Sequence, residues 1–312
     1  MISVVIPTYK SAVYLRETLR SVFAQTTTPS EIIVVDDCSP DKTCDIVEEL
    51  RAKSPTELRL IRLDKNTGGP VTPMNTGVAA AHGEFIAMLD HDDLMVPVRL
   101  ERSLKLIETH REIGIVHGQL QLCDTQGILL PMDQVPYEKL GHVEQVFPWK
   151  QAFETLITVG FRYGGAGGML LRKAAWESVG GFRPQFKISW DYDFAIRVLL
   201  QRWSVGYVPE ILYYHRIHGE NLAAQNDGRD MFEEVRELLC DAAADQRTTK
   251  QERAMIASLI SSKAIFLAQK YRDLGMFKQA IQLYQTALKY NWKNPRALTG
   301  LLKCGLLKFK NK

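Results

Sequence analysis

The chain has 312 residues, of which 46% are hydrophobic and 24% charged, and its formal net charge is +3. This composition excludes a disordered, collagen-like or disulfide-stapled protein, and the near balance of charge argues against general affinity for nucleic acid. The five cysteines are odd in number and form no C-x-x-C pair, so they fit a reducing compartment without a thiolate zinc site. The length predicts two domains.

The N-terminal residues predict a core strand and no targeting segment. Met1 leads directly into Ile2–Pro7, which is too short for the apolar region of a signal peptide and lacks a basic region before it. No window approaches the roughly 18 apolar residues of a membrane span. We therefore expect a cytoplasmic protein.

Strand and helix patterns alternate over residues 2–93. The predicted strands are Ser3–Ile6, Ile32–Val35, Leu58–Leu63 and Phe85–Leu89. A helix capped by Ser11 is predicted from the helical spacing of Leu15, Leu19, Val22 and Phe23, and further helices are predicted near Lys42–Arg51 and over Asn75–His82. Continuous apolar strands separated by amphipathic helices predict an α/β fold with a parallel sheet covered on both faces. In such sheets ligands bind beyond the carboxyl ends of the strands.

The pattern loosens after Asp93 and becomes entirely helical near the C-terminus. The middle part predicts a helix at Val98–Thr109, strands at Ile113–Leu122, Met169–Leu171 and Ser204–Val208, and helices after Arg172 and over Tyr192–Gln201. Gly219, Asn226, Asp227 and Gly228 then interrupt the pattern before helix begins at about Phe232. We predict an α/β domain over residues 1–225 and a helical region over residues 226–312.

Acidic residues follow two of the predicted strands and a third acidic pair begins a helix. Asp36-Asp37 ends the second strand, Asp90-His91-Asp92-Asp93 ends the fourth, and Asp191 with Asp193 follows Trp190. A single such acid commonly only caps a helix or turn. Several acids gathered at neighbouring strand ends cost energy unless a cation is bound, and oxygen ligands suit Mg²⁺ or Mn²⁺.

The glycine motifs that cradle phosphates are absent. No G-x-G-x-x-G follows the first strand, and the chain holds no G-x-x-x-x-G-K-[ST]. A carboxylate-held divalent cation can do the same work by bridging phosphate oxygens. The residues therefore predict a nucleoside-diphosphate site built on metal and carboxylates.

Five segments carry a resemblance to a known enzyme family. They are Val4–Tyr9, Val34–Thr43, Asp90–Asp93, Val179–Phe182 and Trp190–Asp193. Together they resemble the family 2 glycosyltransferases of the GT-A fold, in the family's order and spacing, over roughly residues 2–220. The resemblance implies an inverting, metal-dependent enzyme that moves a sugar from a nucleotide donor to a hydroxyl of a glycan, glycolipid or polysaccharide.

The resemblance also implies roles for single residues. Pro7, Thr8, Tyr9 and Asp37 match the segment that holds the nucleotide base. Asp90 matches the first acid of the D-x-D motif, near the ribose.

The remaining matched acids concern the metal and the chemistry. Asp92 matches the acid that coordinates Mn²⁺ or Mg²⁺, and Asp191 matches the general base. Asp193 is the alternative base, but Arg197 lies four residues later and predicts an ion pair within a helix. We therefore favour Asp191.

A further set of residues completes the expected site. Donor-binding residues are Asn66, Asn75, His91 and Gly167, and expected metal or phosphate ligands are His215 and His218. Gly167 belongs to a Gly-rich segment that either lets backbone approach the donor sugar or forms a flexible turn. Each histidine has a structural alternative. Met74 stands where many relatives have an Arg, so a UDP-sugar is the default donor, with dTDP- and GDP-sugars open.

The helical tail resembles one tetratricopeptide repeat over about residues 264–295. Tyr271, Gly275, Ala280, Tyr284 and Ala287-Leu288 fall near that repeat's spacing. Small residues there would let two helices approach closely, and the alternative is an ordinary helical hairpin. Either a protein partner or neighbouring helices would cover the repeat. The basic, apolar run from Gly300 to Lys312 also suits contact with an anionic membrane surface.

Two other functions compete with the enzyme. One is a non-catalytic scaffold that keeps a nucleotide-sugar site and recruits partners through its tail, which the acids at 37, 90, 92 and 191 argue against. The other is a sugar nucleotidyltransferase, whose G-x-G-T-R stretch is not supplied by residues 7–11.

Overall fold

The computed structural model describes residues 1–131, 141–159, 166–219, 221 and 228–310. Its first part alternates strands and helices as the sequence predicts. The strands are β1 (Ile2–Thr8), β2 (Glu31–Asp36), β3 (Glu57–Arg62) and β4 (Phe85–Met88), and the helices are α1 (Leu15–Phe23), α2 (Thr43–Arg51) and α3 (Val71–Ala80). Every residue of β1 and β2 is buried, as expected for strands covered on both faces.

Among the described residues, the middle part adds five strands, two of them the longest in the sheet, and four helices. The strands are β5 (Leu94–Met95), β6 (Ile113–Cys123), β7 (Gln145–Phe147), β8 (Leu170–Arg172) and β9 (Ser204–Arg216). The helices are α4 (Arg99–Thr109), α5 (Trp149–Val159), α6 (Lys173–Ser178) and α7 (Trp190–Leu200), with a 3-10 turn at Ala166–Gly168. The sequence analysis did not predict β5, β7 or α5: the first two have only two and three residues, and no element was assigned to residues 149–159.

One mixed sheet joins these strands in the order β3-β2-β1-β4-β8-β6-β9-β5, with β7 paired to β9. The first four strands are parallel, as predicted. Beyond them β8 runs antiparallel to both β4 and β6, whereas β6 and β9 pair in parallel, so the sheet is mixed outside its N-terminal part. The carboxyl ends of β1, β2 and β4 therefore lie side by side at one edge.

Two local predictions were wrong. The last strand extends eight residues past Val208 to Arg216 and carries His215, because its pairing with β6 continues through register shifts near Gly118. Ser11 does not cap α1, whose N-cap is Tyr14. Its hydroxyl instead accepts a hydrogen bond from Tyr9 N at 3.1 Å.

The chain divides into two compact units, one formed by residues 1–156 and 161–221 and the other by 157–160 and 222–312. The second contains α8 (Arg229–Ala244), α9 (Lys250–Asp273), α10 (Phe277–Tyr290) and α11 (Pro295–Lys310). Tyr271, Ala280 and Tyr284 are buried between its helices, as expected. Gly275 is not a close-approach position: nothing lies near it, and its φ of +75° ends α9.

Among the residues that the structure describes, no helix combines the length and apolarity needed to cross a bilayer.

Candidate active site

The loops after β1 and β2 are tied together at the predicted edge of the sheet. Asp37 N donates to Thr8 O at 2.8 Å, which continues the pairing of the two strands by one more bond. Lys10 and Cys38 have left-handed backbones, with φ of 52° and 61°, a conformation that non-glycine residues adopt mostly where other contacts enforce it. Lys10 N donates to Ser39 Oγ at 3.0 Å, so the two turns hold each other.

Tyr9 is exposed at this edge, whereas Asp37 is buried. The Tyr9 side chain is 38% accessible and the Asp37 side chain 2%. Asp37 accepts from Thr67 N at 3.0 Å on both carboxylate oxygens and from Thr67 Oγ1 at 2.9 Å. Asn66 Nδ2 donates to Asp37 O at 3.3 Å, so the two predicted residues do lie together. Asp37 thus anchors the loop over residues 64–70 and keeps lone-pair capacity for one more donor.

Asn75 lies apart from this pair and holds the segment before α7. Its Nδ2 donates to Phe182 O at 2.8 Å, and its Oδ1 accepts from Phe182 N at 2.9 Å. Gly180 and Gly181 precede this contact with φ of 71° and 79°. A Cβ on Gly181 would lie 2.9 Å from both Asn75 Oδ1 and Trp176, so only glycine fits there. Contact with the donor remains a prediction for Asn75.

The acids after β4 meet the end of β9. Asp93 is fully buried and accepts from Arg216 N at 3.0 Å, and His215 Nδ1 lies 3.1 Å from the same oxygen. Asp92 Oδ2 lies 2.8 Å from His218 Nε2. The structure thus brings both predicted histidines to the predicted acids. The pairing of β5 with β9, directly after residues 90–93, brings the histidines and the acids together.

The electrostatics of this cluster are strongly perturbed. Burial, together with the charges of Asp93 and Asp92, holds the pKa of Asp90 well above its ordinary range. Burial alone would lower the pKa of His215, but its hydrogen bond to Asp93 and the charges of the acids raise that pKa to about 9. A protonated His215 therefore offsets part of the negative charge at neutral pH.

Gly167 lies directly against the cluster. A Cβ there would be 3.0 Å from Asp93 Oδ2 and 3.1 Å from Asp90 Oδ2. The glycine therefore leaves open a narrow space beside the two carboxylates. Gly164 and Gly165, which belong to the same Gly-rich segment, lie outside the described residues.

The backbone of His91 contacts α1. Its carbonyl accepts a hydrogen bond from Thr18 Oγ1 at 2.8 Å, and its Nδ1 is buried without a hydrogen-bond partner in the described part of the chain. Burial acts to raise the pKa of the neighbouring Asp92, but the imidazoles of His91 and His218 outweigh it and lower that pKa. Contact with the donor stays a prediction for His91.

Two buried arginines support the acids, and the sequence analysis did not find either role. Arg99 is 1% exposed and donates from Nη2 to Met88 O at 2.6 Å. Burial lowers its pKa to about 10, while the charges of Asp93 and Asp90 act in the opposite direction. Arg216 donates to Asp92 O at 2.9 Å and to Glu17 Oε2 at 2.7 Å. Arg99 carried no sequence signal, because isolated arginines are expected on surfaces.

The two acids of α7 differ in their surroundings. Asp193 is 1% exposed and forms an ion pair with Arg197 at 2.7 Å, as predicted, and a second with Arg183. Asp191 is half-buried and accepts a hydrogen bond from Tyr192 N at 2.7 Å. Its charge also contributes to the raised pKa of Asp90. Asp191 is therefore the acid of this helix whose charge acts on Asp90, whereas Asp193 is held by two arginines.

No group of three or more His, Cys, Asp or Glu side chains is arranged to hold a metal ion within the described ranges. The donor set nevertheless fits a divalent cation. Burial disfavours the ionised carboxylate of Asp90, and a bound cation would stabilise that charge. Asp92 supplies an oxygen ligand, and His218 lies beside it. Such a cation would take the rest of its ligands from phosphate oxygens and water.

A family model and several known proteins resemble this chain in sequence. The family model described as "Glycosyl transferase family 2" matches residues 3–177. An uncharacterized glycosyltransferase of Nostoc sp. is 30% identical over 227 residues, which cover 70% of this chain and 66% of that protein. The poly(ribitol-phosphate) beta-N-acetylglucosaminyltransferase TarS of Staphylococcus aureus is 28% identical over 242 residues, covering 76% of this chain but only 39% of TarS.

Solved structures share the fold. The crystal structure of S. aureus TarS 1-349 in complex with UDP-GlcNAc gives a TM-score of 0.68 at 19% identity, covering 100% of this chain and 92% of that one. A longer TarS structure gives 0.66 at 22% identity, and there the match spans 50% of its chain. The motifs and the GT-A sheet agree with the family match over more than half of the sequence. The chain belongs to glycosyltransferase family 2.

Proposed function

We propose that this protein transfers a sugar from a uridine-diphosphate donor to a hydroxyl group of a glycan, glycolipid or polysaccharide acceptor, with inversion at the anomeric carbon. The observation that carries the proposal is that the D-x-D acids follow β4 beside the ends of β1 and β2, which present Thr8, Tyr9 and Asp37, and that Asp191 lies near enough for its charge to act on Asp90. Crystal structures of TarS with UDP and with UDP-GlcNAc support a UDP-sugar as the donor class.

Donor binding begins at the N-terminal loops. The exposed ring of Tyr9 offers a surface for the base, and Asp37 offers its remaining acceptor capacity to a base N–H. Asp90 then lies where the ribose and diphosphate would follow. Because its carboxyl already resists ionisation, it can donate a hydrogen bond as well as accept one.

Asp191 acts as the general base in this proposal. Its carboxylate takes the proton of the acceptor hydroxyl as that oxygen attacks the anomeric carbon. The bond between the anomeric carbon and the diphosphate oxygen breaks in the same step, and its electron pair leaves with the diphosphate. A single displacement of this kind converts an α-linked donor into a β-linked product.

A divalent cation fits the proposal at Asp92, with His218 as a second ligand. Bound there, Mn²⁺ or Mg²⁺ would neutralise the charge that grows on the departing diphosphate. A protonated His215 adds a fixed positive charge beside the same acids. Arg99 and Arg216 hold the backbone that carries them. All five cysteines are free thiols, which suits a cytoplasmic protein.

Donor hydrolysis tests the proposal. The full chain is incubated with UDP-GlcNAc, with Mn²⁺ or with EDTA, and release of UDP is measured. We expect release that depends on the cation and that falls by about a hundredfold or more in D191N. Cation-dependent UDP binding without any turnover would support the scaffold instead. Absence of both turnover and cation-dependent UDP binding would refute the donor site altogether.

A further inference from the structure

The helical unit contains a cleft that the catalytic proposal does not use. Residues of α9, α10 and α11 surround a volume of about 310 Å³, which is at the lower end of the range of small-molecule pockets. Three of its lining residues are cationic, namely Arg272, Arg296 and Lys303, and none of the described residues that line it is acidic. Like charges that converge on one cavity repel each other unless an anion joins them.

The floor of the cleft is formed by Tyr284 and Gly300. A Cβ on Gly300 would lie 2.2 Å from the Tyr284 ring, so the absence of a side chain there keeps the ring in place. Tyr284 is fully buried, and Arg272 lies close enough to its hydroxyl to act on it by charge and as a hydrogen-bond donor.

The cations come from two different helices. Arg272 ends α9, where Asp273 binds its Nε at 3.0 Å and its Nη2 at 2.7 Å, and Asp273 itself is largely exposed. Arg296 and Lys303 lie two turns apart on α11, and none of the ion pairs of the described residues engages either of them. The cleft therefore has a net positive charge, and two of its three cations retain their full capacity to bind an anion.

We propose that this cleft binds a phosphate group, carried by a phosphate ester larger than the ion itself. Guanidinium groups match phosphate oxygens geometrically, and the lysine adds a point charge. The volume leaves room for an organic substituent beside the phosphate. The site is independent of the proposed sugar transfer, since every residue that lines it lies within residues 222–312.

The test uses the full ¹⁵N-labelled chain and inorganic phosphate at constant ionic strength. The Nε–Hε signals of Arg272 and Arg296 are assigned from R272Q and R296Q and followed by NMR. We expect saturable shifts of both signals, and an affinity about fivefold to tenfold weaker in the R296Q/K303Q double variant, since each exposed ion pair contributes modestly. The charge-retaining R296K/K303R variant keeps most of the affinity.

The matched control is K278Q/K289Q, which removes two exposed lysines of α10 that do not line the cleft. It leaves phosphate affinity unchanged. Equal weakening by both double variants, or no saturable shift at all, would overturn the proposal. UDP binding and donor hydrolysis are measured on the same variants. We expect them to stay at wild-type levels in R296Q/K303Q, so this site and the catalytic one can fail separately.

Two further probes identify the source of the phosphate. Glycerol 3-phosphate represents a soluble ester, and vesicles containing phosphatidylglycerol represent a lipid surface. Binding of either probe that is lost in R296Q/K303Q supports the site. Failure of both, with inorganic phosphate binding intact, would refute the claim that the cleft accepts an ester.

Discussion

Mutation can distinguish the roles of the two acids of α7, one of which is structural and the other the proposed general base. Asp193 is nearly inaccessible and neutralises two guanidinium groups, whereas Asp191 lies half-buried at the start of the helix. Asparagine keeps the side-chain size of aspartate and removes the charge. We therefore predict that D193N lowers the stability of the fold, whereas D191N lowers turnover.

The D193N change leaves Arg183 and Arg197 without their shared counter-ion. Breaking a buried ion pair costs about 3–5 kcal/mol, and the partial exposure of both arginines favours the lower figure. Arg197 still donates to Val179 O and Gly181 O, each at 2.8 Å, so its position is retained. For a unit of this size, about 3 kcal/mol corresponds to a fall in Tm of roughly 6–12 °C.

The D191N change is expected to act on turnover. The loss of an acid from the first turn of a helix costs at most about 1 kcal/mol, so Tm changes little. Loss of a general base lowers kcat by about 10²–10⁴. Thermal unfolding followed by circular dichroism, and UDP release at 15 °C where D193N remains folded, provide the two measurements. Near-normal turnover in D191N, combined with a stable but inactive D193N, would reverse the assignment.

Three other changes probe the donor site and the core. Thr67→Val removes one hydrogen bond from buried Asp37, and we expect UDP affinity several-fold below wild type by calorimetry. The free energy of unfolding should fall by about 1 kcal/mol. Gly167→Ala places a methyl group about 3 Å from two carboxylates, and UDP affinity should fall about tenfold while Tm changes little. Burial lowers the pKa of His117 to about 3, below its ordinary 6.5, so the unfolded chain takes up a proton first as pH falls. The folded state therefore loses about 2 kcal/mol between pH 7 and pH 5, and urea unfolding of His117→Phe should lack this loss; equal pH dependence in both proteins would contradict it.

Much of the proposed donor site could be predicted from the sequence, because the patterns that indicate it lie within short segments of the chain. Apolar runs such as Ile32–Val35 end directly in acids, and parallel strands bring their carboxyl ends to one edge. The Asp193–Arg197 pair was likewise predictable, since four residues on a helix place two side chains on the same face. Periodicity and adjacency were sufficient in both cases.

The remaining features depend on contacts between distant segments. Asn75 meets Phe182 across 107 residues, and no local pattern indicates such a pair. The extension of β9 to Arg216 was missed because Pro209 and Glu210 resemble the end of a strand. Arg99 contradicts the expectation that a charged residue at a helix start faces solvent. In each case tertiary structure satisfies a polar group that the sequence alone cannot assign.

Arg216 has a consequence for the smallest fragment that can form the site. Its guanidinium joins Glu17, Thr125 and Asp92, which are 199, 91 and 124 residues away along the chain. Closing such long loops costs entropy that is recovered only when the final strand docks. A fragment ending at residue 177, where the family match stops, would carry the D-x-D acids without this clamp or either histidine. The nucleotide site should therefore form late in folding, and only in chains that extend through residue 218.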